Sequence, residues 1–207
     1  MEKQIVHLFI FNTLADWEIG FAVAGINNPA FQKHPGRYRI QTVGLDAEPV
    51  TTIGGVTILP DITLDELNSS AMLILPGGEV WNAGKNAEIL ETVKALLVSG
   101  IPIAAICGAT AGLARAGILD DKPHTSNASE YLQATNYRGA AFYQNQPAVT
   151  AGDVITANST APLEFAYHIF KKLDIYDTPI LEAWYALFKT GDASYYFTLQ
   201  KLRSPST

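Results

Sequence analysis

The chain is poorest in cysteine: Cys107 is the single one among 207 residues. An internal disulfide is therefore impossible, and the paired thiols of structural zinc sites have no counterpart. The four histidines, His7, His34, His124 and His168, are scattered without metal-ligand spacing such as His-Glu-x-x-His, so no metal and no cofactor are expected. Charge is also scarce. Charged residues make up 16%, the formal net charge is −6, and basic residues gather no further than Lys171-Lys172 and Arg37 with Arg39. Nucleic acid is excluded as an expected partner, because binding it begins with an electropositive track along the phosphates. Neither Gly54-Gly55 nor Gly77-Gly78 completes a nucleotide-binding glycine pattern. The start, Met1-Glu2-Lys3-Gln4, runs directly into Ile5 to Ile10, too short a segment for a signal peptide or a membrane span. A cytoplasmic, reducing setting is the expectation, with no membrane partner.

What the chain has instead is apolar residues, 48% of the total, enough to fill one core. A single domain over 1–207 is expected, with a core at about 4–173 and a C-terminal extension at about 174–207. Strands are predicted at Gln4 to Ile10, Tyr38 to Gly44, Ala71 to Leu75, Ile101 to Ile106 and Val154 to Ala157, and helices at Ala15 to Gly25, Asn86 to Ser99, Cys107 to Ala116 and up to Leu173. Trp17, Phe21 and Ala24 share one face of the first helix. Val50 to Leu59, broken by Gly54-Gly55, reads as a small β-hairpin, and Ser159 or Thr160 as a helix cap. The rhythm of strand, loop and helix is that of an α/β protein: a flavodoxin-like three-layer sandwich with a mostly parallel central sheet flanked by helices, plus the hairpin. The aromatic tail, with Trp184, Tyr185, Phe188, Tyr195, Tyr196 and Phe197, has two uses open to it, covering the core or lining a pocket or dimer face.

Cys107 follows the apolar run Ile103-Ala104-Ala105-Ile106 without a linker and is followed by Gly108-Ala109. A nucleophile elbow has this pattern: a reactive side chain on a sharp strand-to-helix turn, with small neighbours where backbones pass closely. Amides at a helix start favour a thiolate and can hold an oxyanion. The alternative is a buried, inert cysteine. In open parallel sheets ligands gather beyond the C-terminal strand ends, which here lead to Asp16 and Glu18, to Gly77-Gly78 and to Cys107. Gly78 and Gly108 are the candidate oxyanion amides. Gly77-Gly78 could equally be a plain turn.

These residues resemble the DJ-1/PfpI family of the class I glutamine amidotransferase-like superfamily. The likeness rests on Asp16-Trp17-Glu18, Leu73-Ile74-Leu75-Pro76-Gly77-Gly78, the elbow Ala104 to Thr110, Gly117-Ile118-Leu119-Asp120 and Val154 to Ala157. It implies that Glu18 contacts the elbow cysteine and shares a proton with it. In relatives a histidine directly follows the cysteine or stands after a Thr-Thr or Thr-Ser pair; here those places hold Gly108 and Asn127. His124 lies three residues earlier, open to roles as general base or as loop residue. Asn127, Gly77 and Asp16 are pocket candidates. The glutaminase signature, Cys-x-Gly-x-Gln with a late His-x-Glu, is missing, so ammonia delivery from glutamine is not expected. The resemblance implies a cysteine-dependent hydrolase, of peptidase or amidase type, with Cys107, His124 and Glu18 as its catalytic set. Alternatives are an oxidative-stress sensor or chaperone-like protein in which Cys107 is oxidised, and a glyoxalase- or hydratase-type lyase. The implied partners are a small molecule or peptide as substrate and a second copy in a homodimer.

Overall fold

The structure, a computed structural model, describes residues 3–203. In chain order its elements are β1 (Gln4–Phe9), α1 (Asp16–Asn27), β2 (Tyr38–Gly44), β3 (Val50–Thr51), β4 (Thr57–Ile58), β5 (Ile62–Thr63), β6 (Met72–Leu75), α2 (Ala87–Val98), β7 (Ile103–Ile106), α3 (Gly108–Arg115), α4 (Ser129–Gln133), β8 (Ala148–Ala151), β9 (Val154–Ala157), α5 (Pro162–Leu173), α6 (Thr178–Thr190) and α7 (Ala193–Arg203). Short 3₁₀ turns at Leu64–Glu66, Glu79–Trp81 and Ala140–Phe142 punctuate the loops.

Seven strands form one sheet in the order β5-β2-β1-β6-β7-β9-β8. All neighbours are parallel except β8 and β9, which run antiparallel at one edge. Helices flank the sheet, as expected for a mostly parallel α/β sandwich. Every residue of β6, β7 and β9 is buried, which is why these strands read as unbroken apolar runs rather than alternating ones. β3 and β4 make the separate hairpin. Of its two glycines, only Gly55 takes a positive φ, 81°; Gly54 is held beside the Asp16 carboxylate, where a Cβ would come within 2.8 Å of an oxygen.

Trp17, Phe21 and Ala24 share one face of α1, as expected, and turn it toward α6, while the side that packs inward carries Glu18, Ala22, Gly25 and Ile26. Gly25 lets α1 approach α5, since a Cβ there would collide with the Phe170 ring. The α5 cap position is Ala161, and neither Ser159 nor Thr160 caps the helix. Instead Asn158 Oδ1 accepts from the Thr160 amide and hydroxyl, at 3.0 and 2.8 Å. Edge strand β8 has no signature in the sequence, because Ala148–Ala151 lacks an apolar run and is fixed by pairing with β9. The tail serves both of its open uses. Leu181, Ala183 and Leu199 are buried, while Trp184, Phe188 and Tyr196 join Trp17 and Phe21 around an apolar cavity of about 710 Å³.

Candidate active site

Register brings three strand ends to one edge of the sheet: Leu8 pairs with Ile74, Leu75 with Ala105, and Ile106 with Ala157. The loops that leave β1, β6 and β7 therefore converge, carrying Glu18, Gly77-Gly78 and Cys107. The amide of Cys107 still donates to the Ala157 carbonyl at 3.0 Å, and the chain then turns sharply into α3. At the turn Cys107 adopts φ 56° and ψ −122°, outside the comfortable regions for an L residue, a conformation costing on the order of 1–3 kcal/mol. Close packing supports it. A Cβ on Gly108 would lie 2.7 Å from the Gly78 carbonyl oxygen, and one on Gly112 would lie 2.5 Å from the buried Trp81 ring. The Thr110 hydroxyl donates to the Cys107 carbonyl at 2.6 Å and touches Ser126 Oγ at 2.6 Å, tying the elbow to the 124–127 loop.

Glu18 is buried, at 1% exposure, in the first turn of α1. Its Oε2 accepts from the Gly77 amide at 2.6 Å, and its carboxyl lies beside Cys107. Gly77 is what permits this approach, because a Cβ there would stand 2.5 Å from Cys107 Cβ and 2.6 Å from Glu18 Oε2. Burial pushes the Glu18 carboxyl upward, opposed by its hydrogen bonds to Cys107 and Gly77. Burial, and next the Glu18 charge, push the thiol up to about 11, while Asn127 and the Gly108 amide pull it down. Two negative charges resist sharing this space, so the pair does not give up its last proton in the neutral range.

Of the expected residues, the structure joins Cys107, Glu18, Gly77, Gly108 and Asn127. Asn127 Nδ2 donates to Cys107 Sγ at 3.3 Å, and its Oδ1 accepts from the Ser159 amide at 2.9 Å. His124 is placed otherwise. It is fully buried, its Nδ1 lies 2.8 Å from the Lys122 carbonyl and its Nε2 lies 3.1 Å from Tyr137 Oη. A carbonyl only accepts, so Nδ1 carries the proton and Nε2 accepts from the tyrosine. Both ring nitrogens are thus engaged away from the thiol, and the ring sits edge-on to Tyr137 and Tyr143. Burial lowers its pKa, against the pull of the Lys122 carbonyl. Asp16 also serves the scaffold: Oδ2 accepts from the Gly54 amide at 2.8 Å, fixing the hairpin to the start of α1. The Gly77 amide is spent on Glu18, which leaves Gly78 and Gly108 as the oxyanion candidates.

Tyr131 carries no motif that marks it in the sequence. Its hydroxyl donates to Asn82 Oδ1 at 2.6 Å, and burial, then the charges of Cys107 and Glu18, raise its pKa. Its place four residues beyond Asn127, in α4, is the signal that could have found it. Among the described residues no group of three or more His, Cys, Asp or Glu side chains could hold a metal ion, and no helix is long and apolar enough to cross a membrane.

The site thus sets a buried glutamate under a strained strand-to-helix cysteine, with a Gly-Gly turn packed between them. Residues 4–172 match the model of the DJ-1/PfpI family. The chain belongs to the DJ-1/PfpI family. It is 43% identical to the uncharacterized protease YoaZ of Bacillus subtilis, over 96% of this chain and 97% of that protein. It is 35% identical to the uncharacterized protease YdeA of the same organism, over 86% of each. Among solved structures, a ThiJ/PfpI family protein from Bacillus anthracis superposes with a TM-score of 0.91 at 41% identity, covering 97% of both chains. The DJ-1 superfamily protein Atu0886 from Agrobacterium tumefaciens superposes at 0.81 with 32% identity, over 93% of this chain and 99% of that one. Within the DJ-1/PfpI family, then, this member carries Asn127 at the thiol and buries its loop histidine.

Proposed function

We propose that the chain is a cysteine-dependent hydrolase of peptidase or amidase type in which Cys107 attacks a carbonyl carbon and Glu18, not a histidine, moves the proton. The observation that carries this reading is the buried Glu18 carboxyl held beside the cysteine of a strained elbow, the two meeting at Gly77. As sulfur adds to the carbonyl carbon, the thiol proton passes to Glu18, and the oxygen takes the negative charge beside the amides of Gly78 and Gly108. Glu18 then returns the proton to the leaving nitrogen as the carbon–nitrogen bond breaks. Water attacks the thioester, gives a proton to Glu18, and expels the sulfur, which recovers that proton. The protease names of the two Bacillus subtilis relatives support a hydrolytic reading.

A second reading is favoured by the engagement of both His124 nitrogens away from the site. With no imidazole bonded to the sulfur, Cys107 acts as a redox sensor: peroxide oxidises the thiolate to the sulfenate with release of water, and a second equivalent yields the sulfinate. Either reading suits a reducing, cytoplasmic setting. It also suits a homodimer, because exposed Trp17 and Phe188 rim the same apolar cavity and the hairpin bearing exposed Ile53 and Val56 is tied to the start of α1.

The test is turnover of a panel of fluorogenic amides, peptides and esters, with intact-mass detection of an acyl-enzyme, in the wild type and in Cys107→Ser. Loss of turnover and of the adduct in the variant is expected. Unchanged turnover in Cys107→Ser would overturn the nucleophile assignment. A wild type that hydrolyses nothing on the panel, yet gains two oxygens at Cys107 under peroxide, transfers the conclusion to the sensor.

A further inference from the structure

The Cys107 centre has a third member whose chemistry differs from that of a histidine. A main-chain N–H can only donate, so the Asn127 atom facing the Ser159 amide at 2.9 Å must be the carbonyl oxygen. The nitrogen is thereby directed at Sγ, 3.3 Å away. The amide cannot flip without losing the Ser159 bond and turning an oxygen lone pair toward the sulfur. The loop beneath is fixed as well. Thr125 and Ser126 are buried, the Thr125 amide donates to Thr156 Oγ1 at 2.9 Å, the Thr125 hydroxyl donates to the Gln146 carbonyl at 2.7 Å, and Ser126 is joined to Thr110 of α3. Asn127 is thus held between β9, which leads to Ser159, and the elbow.

We propose that Asn127 is the positioning residue of the Cys107 centre: a locked amide donor that sets the thiol rotamer and stabilises negative charge on sulfur, yet cannot carry a proton, so that all proton movement runs through Glu18. This rests on the reading of Cys107 as the reactive group, and it explains how a member of this family can keep a directed donor at sulfur while its loop histidine packs among tyrosines. An amide neither gives up nor takes a proton in the neutral range, so its contribution is independent of pH. Glu18 therefore remains the group whose titration shapes reactivity.

Thiolate absorbance and the rate of alkylation by iodoacetamide, both against pH, read this without a substrate. Asn127→Ala removes the donor and should shift the thiol titration upward, slowing alkylation about five-fold at a fixed pH below the pKa, the worth of a hydrogen bond of roughly 1 kcal/mol. Asn127→Asp keeps an oxygen for the Ser159 amide but faces the sulfur with a second carboxylate, and should slow alkylation more than alanine does. Asn127 is exposed, so both variants should retain the wild-type far-ultraviolet dichroism and melting temperature within a few degrees. Titration curves of both variants superimposable on the wild type would overturn the proposal, as would an alanine variant that alkylates faster. The hydrolytic reading fails separately, through turnover in Cys107→Ser, because the thiol titration needs no catalysis.

Discussion

His124 and Asn127 stand three residues apart on one loop and face opposite environments. The first packs between two tyrosines with both nitrogens satisfied; the second reaches over the sheet edge to the sulfur of Cys107. The anchors between them, Thr125 and Ser126, are buried and bonded to separate parts of the scaffold, to β9 and α3. Which loop residue meets the thiol is therefore decided by where that pair is nailed down, not by which residue has the more useful chemistry. A loop histidine close to a reactive centre in the chain can be spent on packing.

Perturbations should separate the two environments, and the largest effect is expected at the thiol side. Gly77→Ala would press a methyl group into Cys107 Cβ and Glu18 Oε2, which stand at 2.5 and 2.6 Å from the added atom. Because either the thiol or the carboxyl must leave its place, this variant should lose at least about a hundred-fold in thiol-dependent rate, since small misplacements at a reacting centre are that costly. Its stability should fall by roughly 1–3 kcal/mol, measured by urea unfolding. Retention of rate would show that the Glu18–Cys107 contact is dispensable.

Glu18→Gln comes next. It removes the charge that, after burial, does most to hold the thiol pKa near 11, so thiolate absorbance should appear at lower pH. Alkylation at pH 8 should accelerate accordingly, about ten-fold if the midpoint of the titration falls by one pH unit. Turnover should drop in the same variant, because the glutamine amide accepts no proton. A thiol titration that does not move, or moves upward, would separate Glu18 from the sulfur electrostatically.

The smallest thiol effect, and an effect of another kind, is expected at His124. His124→Ala should leave the thiol titration unchanged while costing roughly 1–3 kcal/mol of stability, since the Lys122 carbonyl and Tyr137 hydroxyl lose a buried partner. The pH dependence has a definite sign. Burial holds the folded-state pKa of His124 below the ordinary 6.5, so the unfolded chain binds the extra proton first and stability, full above that value, declines as the pH falls from 6.5 through the folded pKa. Burial gives His7 and His168 the same sign, so the variant should flatten the acid-side decline without abolishing it. An altered Cys107 titration in His124→Ala would mean that the two ends of the loop are coupled after all.

The elbow and the central strands were legible because the residue types they require, apolar throughout a strand and glycine where backbones pass closely, stand in unbroken stretches of the chain. Met72–Leu75 and Ile103–Ile106 are buried on both faces and must be apolar throughout, while Gly77 and Gly108 mark places where a side chain would collide with a neighbouring loop. The strand-end position placed Asp16 and Glu18 alike at the ligand edge of a parallel sheet, and the family resemblance is what singled out Glu18. The inward stripe of α1 was less legible: Trp17, Phe21 and Ala24 form an apolar face, but in the folded chain that face belongs to the α6 side. Large aromatics mark a face to be covered without saying by what.

The sequence by itself determined the central strands and the elbow, because burial on both faces and turn geometry act on residues near one another in the chain; the glutamate beneath the cysteine was implied by the likeness of its motifs to those of the family. Only the tertiary structure decided that Asn127, rather than His124, faces the thiol. That choice is made by the long-range bonds of Thr125 to Thr156 and Gln146, of Ser126 to Thr110, and of Asn127 to Ser159. Hydrogen bonds spanning such separations orient a loop only after the sheet has formed, and no local pattern encodes their direction.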